Sequence, residues 1–482
     1  MLGIYIGRDK ILKDKNNFHD KIANMTKRFN IWSGRNLTIL GRILISKTYG
    51  ISNLIYSLTM SEADDNICKS AQTQINKFIW GYKPPKIKHT TLIGQIEKGG
   101  LKAIDVDIMQ QSLMIAWTSR MWINNYWNSI INEDLNKYGG LRFLLRCNYD
   151  YSQLKIPNFY IKILRYSELV FKKEKSHNII WNNKDIQIGG TQIIYKDWMA
   201  KGIIYIQDLC KENGDFREYD DFKRHYNLEQ CFLKYVGVIN CLKKVIRGKD
   251  IYKNVCYVDK PNINFNTPIF KLIDDSLIDI RKAKARIYYN ILLEHKFDEP
   301  IALHKWTQEL NITKEEVVKT FKLAKLSTKD SKLLTFNYKL INRLINNKAN
   351  LFKWNIGTDP NCTFCDRNLI DDTYHSFMQC DWTYNKIKQI LDDLDPLRTW
   401  AKLINHKTWI FGVHDPAINL IILIMKYYLS QTRNCVFDPK PKERNFPSYP
   451  CRKNTYQLNV SIKNNFNSLV DARDKFESEN LS

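Results

Sequence analysis

The chain has 482 residues, 44% of them hydrophobic and 12% aromatic, enough to bury sizeable cores in about two to four domains and too apolar for a disordered tail. Its 74 Lys plus Arg against 50 Asp plus Glu leave a net charge of +24, which points to a polyanion such as nucleic acid or an anionic surface. Part of that Lys excess belongs to the same compositional bias that makes Asn and Ile abundant. No apolar run of signal-peptide length opens the chain, and the longest greasy stretch, Ala417–Met425, is nine residues against about 20 for a bilayer span, so a soluble protein with no membrane partner is expected.

Residues 1–130 read as one helical unit. Phe18–Trp32, Gly41–Leu58 and Cys68–Trp80 carry apolar residues at helical spacing, as in Ile22, Met25, Phe29 and in Ile67, Ala71, Ile75, Phe78, Ile79. Gly81-Tyr82-Lys83-Pro84-Pro85-Lys86 ends the pattern, because each Pro fixes its own φ and disfavours helix in the residue before it. Helical spacing returns after Gly99-Gly100, over Ile108–Trp127. In residues 131–260, turn residues flank a short alternating strand between Trp181 and Gly190, and a charged helix is predicted over Phe222–Tyr235.

Pro261, Asn262, Asn264, Asn266 and Pro268 mark a linker. Beyond it, Ile269–Ala324 and Thr328–Phe352 are predicted as helices within a segment spanning 261–355. Residues 356–435 form a small cysteine-bearing module. The stretch 436–482, with Pro439, Pro441, Pro447 and Pro450, reads as an extended tail. The predicted fold class is mainly α, a helical bundle followed by an α-rich region with a few short strands.

The most specific local pattern is Cys362-Thr363-Phe364-Cys365, then His375 and Cys380. Thiolate and imidazole are ligands that zinc prefers, and two cysteines separated by two residues can face one ion from a single tight turn. Four protein donors leave no open position, so the expected ion is a structural zinc rather than one that activates water. The other cysteines show no ligand spacing. Eleven in all, an odd number over a long chain, read as reduced thiols and place the protein in the nucleus or cytoplasm rather than outside the cell.

Catalytic signals are weak, and no catalytic residue is assigned. Asp64-Asp65 could be a polymerase-type acidic pair, but it precedes the helical pattern Ile67, Ala71, Ile75, where acidic residues suit a helix N-terminus. Asp371-Asp372 is expected to cap a helix beside the metal ligands. Basic residues carry more information. Arg35, Arg42, Lys47, Lys77, Lys83, Lys86 and Lys88 recur along the helices and the Pro-Pro turn, where they could meet successive phosphates. Tyr82, in the turn, is the expected base-stacking aromatic, whereas Trp32, Trp80, Trp117, Trp122 and Trp127 fall on apolar faces and are expected in the core. The run Arg281-Lys282-Ala283-Lys284-Ala285-Arg286 would set charge around a helix.

Several of these stretches resemble a known family. Leu2-Gly3-Ile4, Trp32–Arg35, Leu40-Gly41-Arg42-Ile43, Ile45-Ser46-Lys47, Phe78-Ile79-Trp80, Lys83-Pro84-Pro85-Lys86-Ile87 and Gly99-Gly100-Leu101 with Asp105 resemble, in order and spacing, the region after the catalytic palm of LINE-type non-LTR retrotransposon reverse transcriptases. Trp181-Asn182-Asn183, Trp198, Gly202-Ile203, Ile206-Gln207-Asp208-Leu209 and Gly214-Asp215-Phe216 resemble the C-terminal region of those polyproteins. The Cys362, Cys365, His375, Cys380 pattern resembles their zinc-binding domain, and Asn419–Tyr428 the helix that follows it.

The resemblance implies that residues 1–130 are a thumb gripping a template–primer duplex, and that later segments engage template RNA and target DNA. In the family register Leu2-Gly3-Ile4 follows the palm, so it also implies a C-terminal part of an RNA-directed DNA polymerase without the palm's metal-binding aspartates. RNA, an RNA/DNA hybrid or DNA duplex are then the expected partners, with a separate palm-containing fragment as a further one. Two alternatives stay open: a chain that polymerises, alone or by complementing such a fragment, and a zinc-containing interaction protein or decayed product.

Overall fold

In a computed structural model, residues 3–123, 126–173, 175–261, 263–395 and 401–437 are described; the proline-rich tail lies outside them. The architecture is mainly α. Among the described residues the only sheets are two antiparallel hairpins, Gln187–Ile188 with Thr191–Gln192 and Ile269–Lys271 with Leu277–Asp279. No helix there is long and apolar enough to cross a membrane.

The chain folds into two compact units built from interleaved stretches. One gathers residues up to 25, 51–72 and 105–296; the other gathers 26–50, 73–104 and the described residues from 297 onward.

The first helical stretches form where the periodicity places them. Asp20–Ser33 follows a wider turn at Lys15–His19, and Phe18, Met25 and Phe29 are buried with Ile22. Asp65–Ile79 buries Ile67, Ala71, Ile75, Phe78 and Ile79. Between them, the helix expected over Gly41–Leu58 is interrupted: Ile39–Ile45 and Ser52–Met60 flank a π-helical turn at Ser46–Ile51. Ser46 Oγ donates to the Arg42 carbonyl at 2.8 Å and Thr48 Oγ1 to that of Leu44 at 3.0 Å, side-chain bonds that loosen the backbone ladder locally.

In the unit holding residues 105–296, Val106–Ile115 packs against Ala285–Lys296, Asn158–Ser167 and Ser52–Met60. Trp181 and Trp198 are fully buried, their rings edge-on at 5.9 Å, and the Trp181 indole donates to the Ile203 carbonyl at 2.7 Å. Trp181→Ala should therefore lower the unfolding free energy by roughly 3–5 kcal/mol, read from the urea midpoint.

Two of the local expectations differ from the structure, and a third, the turn and short strands around Gly189-Gly190, is met. Gly189 and Gly190, at φ +61° and +77°, make the turn of a hairpin, so the strand they were expected to bound has a partner beyond them. The single helix over Phe222–Tyr235 is two, Tyr219–His225 and Phe232–Gly248, parted near Asn227, whose φ is +48°. Finally, residues 269–279 form the second hairpin instead of a helix. Asp274 caps its turn by accepting from the Ser276 amide and hydroxyl, and Arg146 holds its approach by donating to the carbonyls of Phe265, Thr267 and Ile269. The charged run is correspondingly non-helical up to Lys284, with Arg281 paired to Asp279, and the helix starts at Ala285.

In the other unit, Trp306, Leu340, Phe377, Ile410, Ile422 and Met425 centre one core, crossed by the helix Pro416–Phe437 that contains the apolar stretch Ala417–Met425. Gly100 is required within this unit: a Cβ there would lie 2.1 Å from the Gly94 carbonyl oxygen, so only glycine allows the two backbones to touch.

Candidate metal centre and basic surface

Each of the four candidate ligands is placed by local backbone chemistry. Asp359 Oδ1 accepts from the Asn361 amide at 3.0 Å, the Cys362 amide donates to the Leu369 carbonyl at 2.8 Å and the Asp371 amide to that of Pro360 at 2.9 Å. These bonds close a short loop carrying Cys362 and Cys365, returned by Asn368 at φ +51°. The Phe364 amide donates to Cys362 Sγ at 3.4 Å.

Asp372 Oδ1 accepts from the His375 amide at 2.8 Å, the cap expected for this acidic pair. His375–Gln379 then forms a π-helical turn, and the Cys380 amide closes it by donating to the His375 carbonyl at 2.9 Å. The wide turn sets His375 and Cys380 at its two ends, and the helix Asp381–Leu394 begins at once.

The ligand atoms of Cys362, Cys365, His375 and Cys380 all lie within 4.8 Å of one another. Cys362 Sγ and Cys380 Sγ are 3.9 Å apart; Cys365 Sγ and His375 Nε2 are 3.5 Å apart. For zinc bonds of about 2.3 Å to sulfur and 2.0–2.1 Å to nitrogen, the edges of a tetrahedron are about 3.5–3.8 Å, so the four donors can bind one metal ion with little movement. Cys362, His375 and Cys380 are buried and Cys365 is half-buried.

The electrostatics suit such an ion. Burial lowers the His375 pKa and keeps the imidazole neutral, the form that coordinates. Burial opposes a Cys380 thiolate, but the Thr383 amide and the Arg433 guanidinium outweigh it and hold its pKa below the ordinary thiol value. Arg433, itself buried, also reaches Cys362 Sγ and pairs with Asp371, while Phe364 and Trp382 lie against its guanidinium plane.

All eight basic and aromatic candidates fall in the same compact unit as these four donors, though they come from separate stretches of chain. Residues 26–50 and 73–104 together hold eleven Lys plus Arg against one acidic residue, Glu97, a far stronger bias than that of the whole chain. Individually the eight differ. Arg35 is exposed, with its guanidinium 4.4 Å from the Trp32 ring, and Trp32 meets Tyr49 at 5.7 Å. Lys77 and Lys83 are exposed, and half-buried Lys47 has its pKa lowered by burial and by nearby Lys102.

Tyr82 is 51% exposed and adopts φ +61°; its hydroxyl donates to Asn30 Oδ1 at 2.7 Å, which fixes the ring on the surface. Lys86 Nζ sits 3.2 Å from the centroid of Trp354, and burial together with Lys339 and Lys83 pushes its pKa down to about 8. Two candidates are engaged internally. Arg42 donates to the Phe78 carbonyl at 3.0 Å and braces the turn, and Lys88 lies 3.5 Å from Asp298.

Lys339 and Trp354 were not foreseen. Each lies more than 250 residues along the chain from Lys83 and Lys86, on or just after the helices Ser331–Ile341 and Lys348–Lys353, so no local pattern links them. The second of those helices adjoins the candidate metal centre, because the Lys348 amide donates to Asp371 Oδ2 at 3.1 Å and the Ala349 amide to the Asp371 carbonyl at 3.2 Å.

Other expectations resolve simply. Trp117 donates to the Thr59 carbonyl at 2.7 Å, and Trp122 is buried edge-on against Phe270; the Trp127 side chain lies outside the described residues. Asp64 pairs with Lys10 at 2.9 Å and Asp65 opens its helix, with no third metal donor gathered beside them among the described residues. No family model matches the chain.

Proposed function

We propose that this protein binds RNA, an RNA/DNA hybrid or duplex DNA through the basic residues of the unit that holds the candidate metal centre, and that the bound ion is a structural zinc. The observation that carries this reading is the segregation of charge: eleven basic residues against one acid in two stretches that join the four-donor centre in one unit. Exposed Arg35 beside Trp32 and Tyr49, and Tyr82 in the Pro-Pro turn, offer planar groups for base stacking. Lys83, Lys86 and Lys339 crowd one another, so phosphate would relieve their repulsion.

The motif order in the sequence supports a role as the thumb and zinc-bearing part of a LINE-type reverse transcriptase, gripping nucleic acid rather than joining nucleotides. Three metal-binding thiolates favour a reducing compartment, which supports the nucleus or cytoplasm.

Filter binding over a salt series tests the proposal. Log affinity should fall linearly with log salt, by about 0.7–0.9 per phosphate contact, and changing Lys83, Lys86 and Lys339 together to Ala should weaken binding at least about tenfold and flatten the slope by about two. Salt-independent binding would remove the proposal.

A further inference from the structure

A tetrahedral centre with three thiolates and one neutral histidine around a divalent ion carries a net charge of −1. A buried anion of that kind needs a counter-charge. Arg367, paired with Asp381 at the surface, adds charge nearby, but the buried cation that touches the sulfurs is Arg433. Arg433 Nη1 donates to Cys380 Sγ at 3.4 Å and to Thr383 Oγ1 at 3.3 Å, and Nη2 reaches Cys362 Sγ at 3.7 Å and Asp371 Oδ1. Both acid and base of the pair are removed from solvent, Asp371 fully and Arg433 to 3% exposure. The planar fork thus faces two sulfurs on one edge and a carboxylate on another, an arrangement that Lys could not reproduce from a single point charge.

Resting on the zinc reading above, we propose that Arg433 is a positioning residue for the metal centre: it neutralises the metal-bound thiolates of Cys362 and Cys380 and ties them to Asp371. Asp371 carries the link onward. It accepts from the Lys348 amide and from Ser376 Oγ, the latter at 2.6 Å inside the turn that holds His375. One guanidinium therefore joins the helix Pro416–Phe437, the ligand loop, the His375 turn and the start of the helix Lys348–Lys353. Loss of Arg433 would leave two buried anions, the centre and Asp371, facing each other without a cation between them.

The test is zinc affinity of the full chain, measured by competition with a chromophoric chelator. Arg433→Met should weaken zinc binding by about 10–100-fold, and Arg433→Lys by less. Asp371→Asn added to Arg433→Met should restore part of the affinity, because it removes the stranded carboxylate; a purely packing role predicts that the second change makes matters worse. Should Arg433→Met fail to fold, the zinc-loaded Arg433→Lys protein supplies a second readout: its cysteines should react with iodoacetamide several-fold faster than those of the wild type, since the bonds that shield the sulfurs are reduced.

Unchanged zinc affinity in Arg433→Met, unchanged alkylation in Arg433→Lys, or a double variant weaker than the single one would each overturn the proposal. A wild-type chain that takes up no zinc would instead overturn the metal reading on which it rests.

Discussion

Cys365→Ser should reduce bound zinc from one ion per chain to almost none and lower the melting temperature by several degrees. Cys365 is the donor of choice for this experiment because it alone of the four is half-exposed, so serine there creates no buried void. The same loss should follow from a strong chelator acting on the wild type, and it should be reversed by added zinc in the wild type but not in the variant. The effect is large because the loop carrying Cys362 and Cys365 has few apolar contacts of its own, Cys362 being its main buried apolar group, whereas the His375 turn is anchored in the core by Phe377. Metal-binding free energy is then folding free energy for this segment. Metal analysis together with circular dichroism checks it, and a variant that keeps both its zinc and its melting temperature would refute the assignment.

Lys426→Met should stabilise the protein, by roughly 3 kcal/mol near neutral pH. Lys426 is 1% exposed within the apolar core of its unit, its ammonium donates to the Ile410 carbonyl at 2.8 Å, and burial pushes its pKa down to about 7. In the unfolded chain the same group stays protonated to about pH 10.4. Between pH 7 and about 10 the unfolded state therefore binds more protons, and wild-type stability rises with pH through that window by up to about 1.4 kcal/mol per unit. Below pH 7 both states carry the proton and the cost of the buried charge is present in full. Methionine removes that cost while losing one hydrogen bond, worth about 1 kcal/mol. Its advantage should be greatest at pH 7 and below and should shrink towards pH 10, measured as urea midpoints across the range. A gain that does not change with pH would show that Lys426 titrates normally.

Neither the buried Lys426 nor Arg433 stands out in the sequence. Both sit on a helix whose apolar stretch Ala417–Met425 is conspicuous, and a basic residue beside such a stretch ordinarily reaches solvent. What places them inside is the packing of distant segments, the His406–Phe411 helix around Lys426 and the ligand loop around Arg433. By contrast, helix at Asp65–Ile79 was legible because five apolar residues at regular spacing outweigh the weak preferences of the residues between them. The candidate metal donors were legible for a different reason: two cysteines two residues apart, followed by histidine and cysteine, constrain the chemistry more tightly than they constrain the backbone.

Misreadings cluster where turn chemistry decides. The hairpin at 269–279 depends on Asp274 capping its own turn and on Arg146, more than 120 residues earlier, holding three carbonyls. A local apolar pattern of Ile269, Phe270 and Leu272 serves helix and strand equally well, and the Asp274 turn together with that remote guanidinium decides between them. Likewise, the basic residues in 26–50 and 73–104 were visible as a surplus, but their gathering into one unit with the four candidate donors exists only once the chain has folded.

That sorting has a consequence for biosynthesis. The unit with the metal centre takes its first stretch from residues 26–50 and its last from beyond residue 297, so more than 200 residues must leave the ribosome before its halves can meet. Until then Leu40, Ile96 and Leu101, which line a common cavity with Phe321, Leu334 and Tyr338, have no partners to cover them. A nascent chain in that state exposes apolar surface and its most basic stretches together, for a time set by translation rather than by folding.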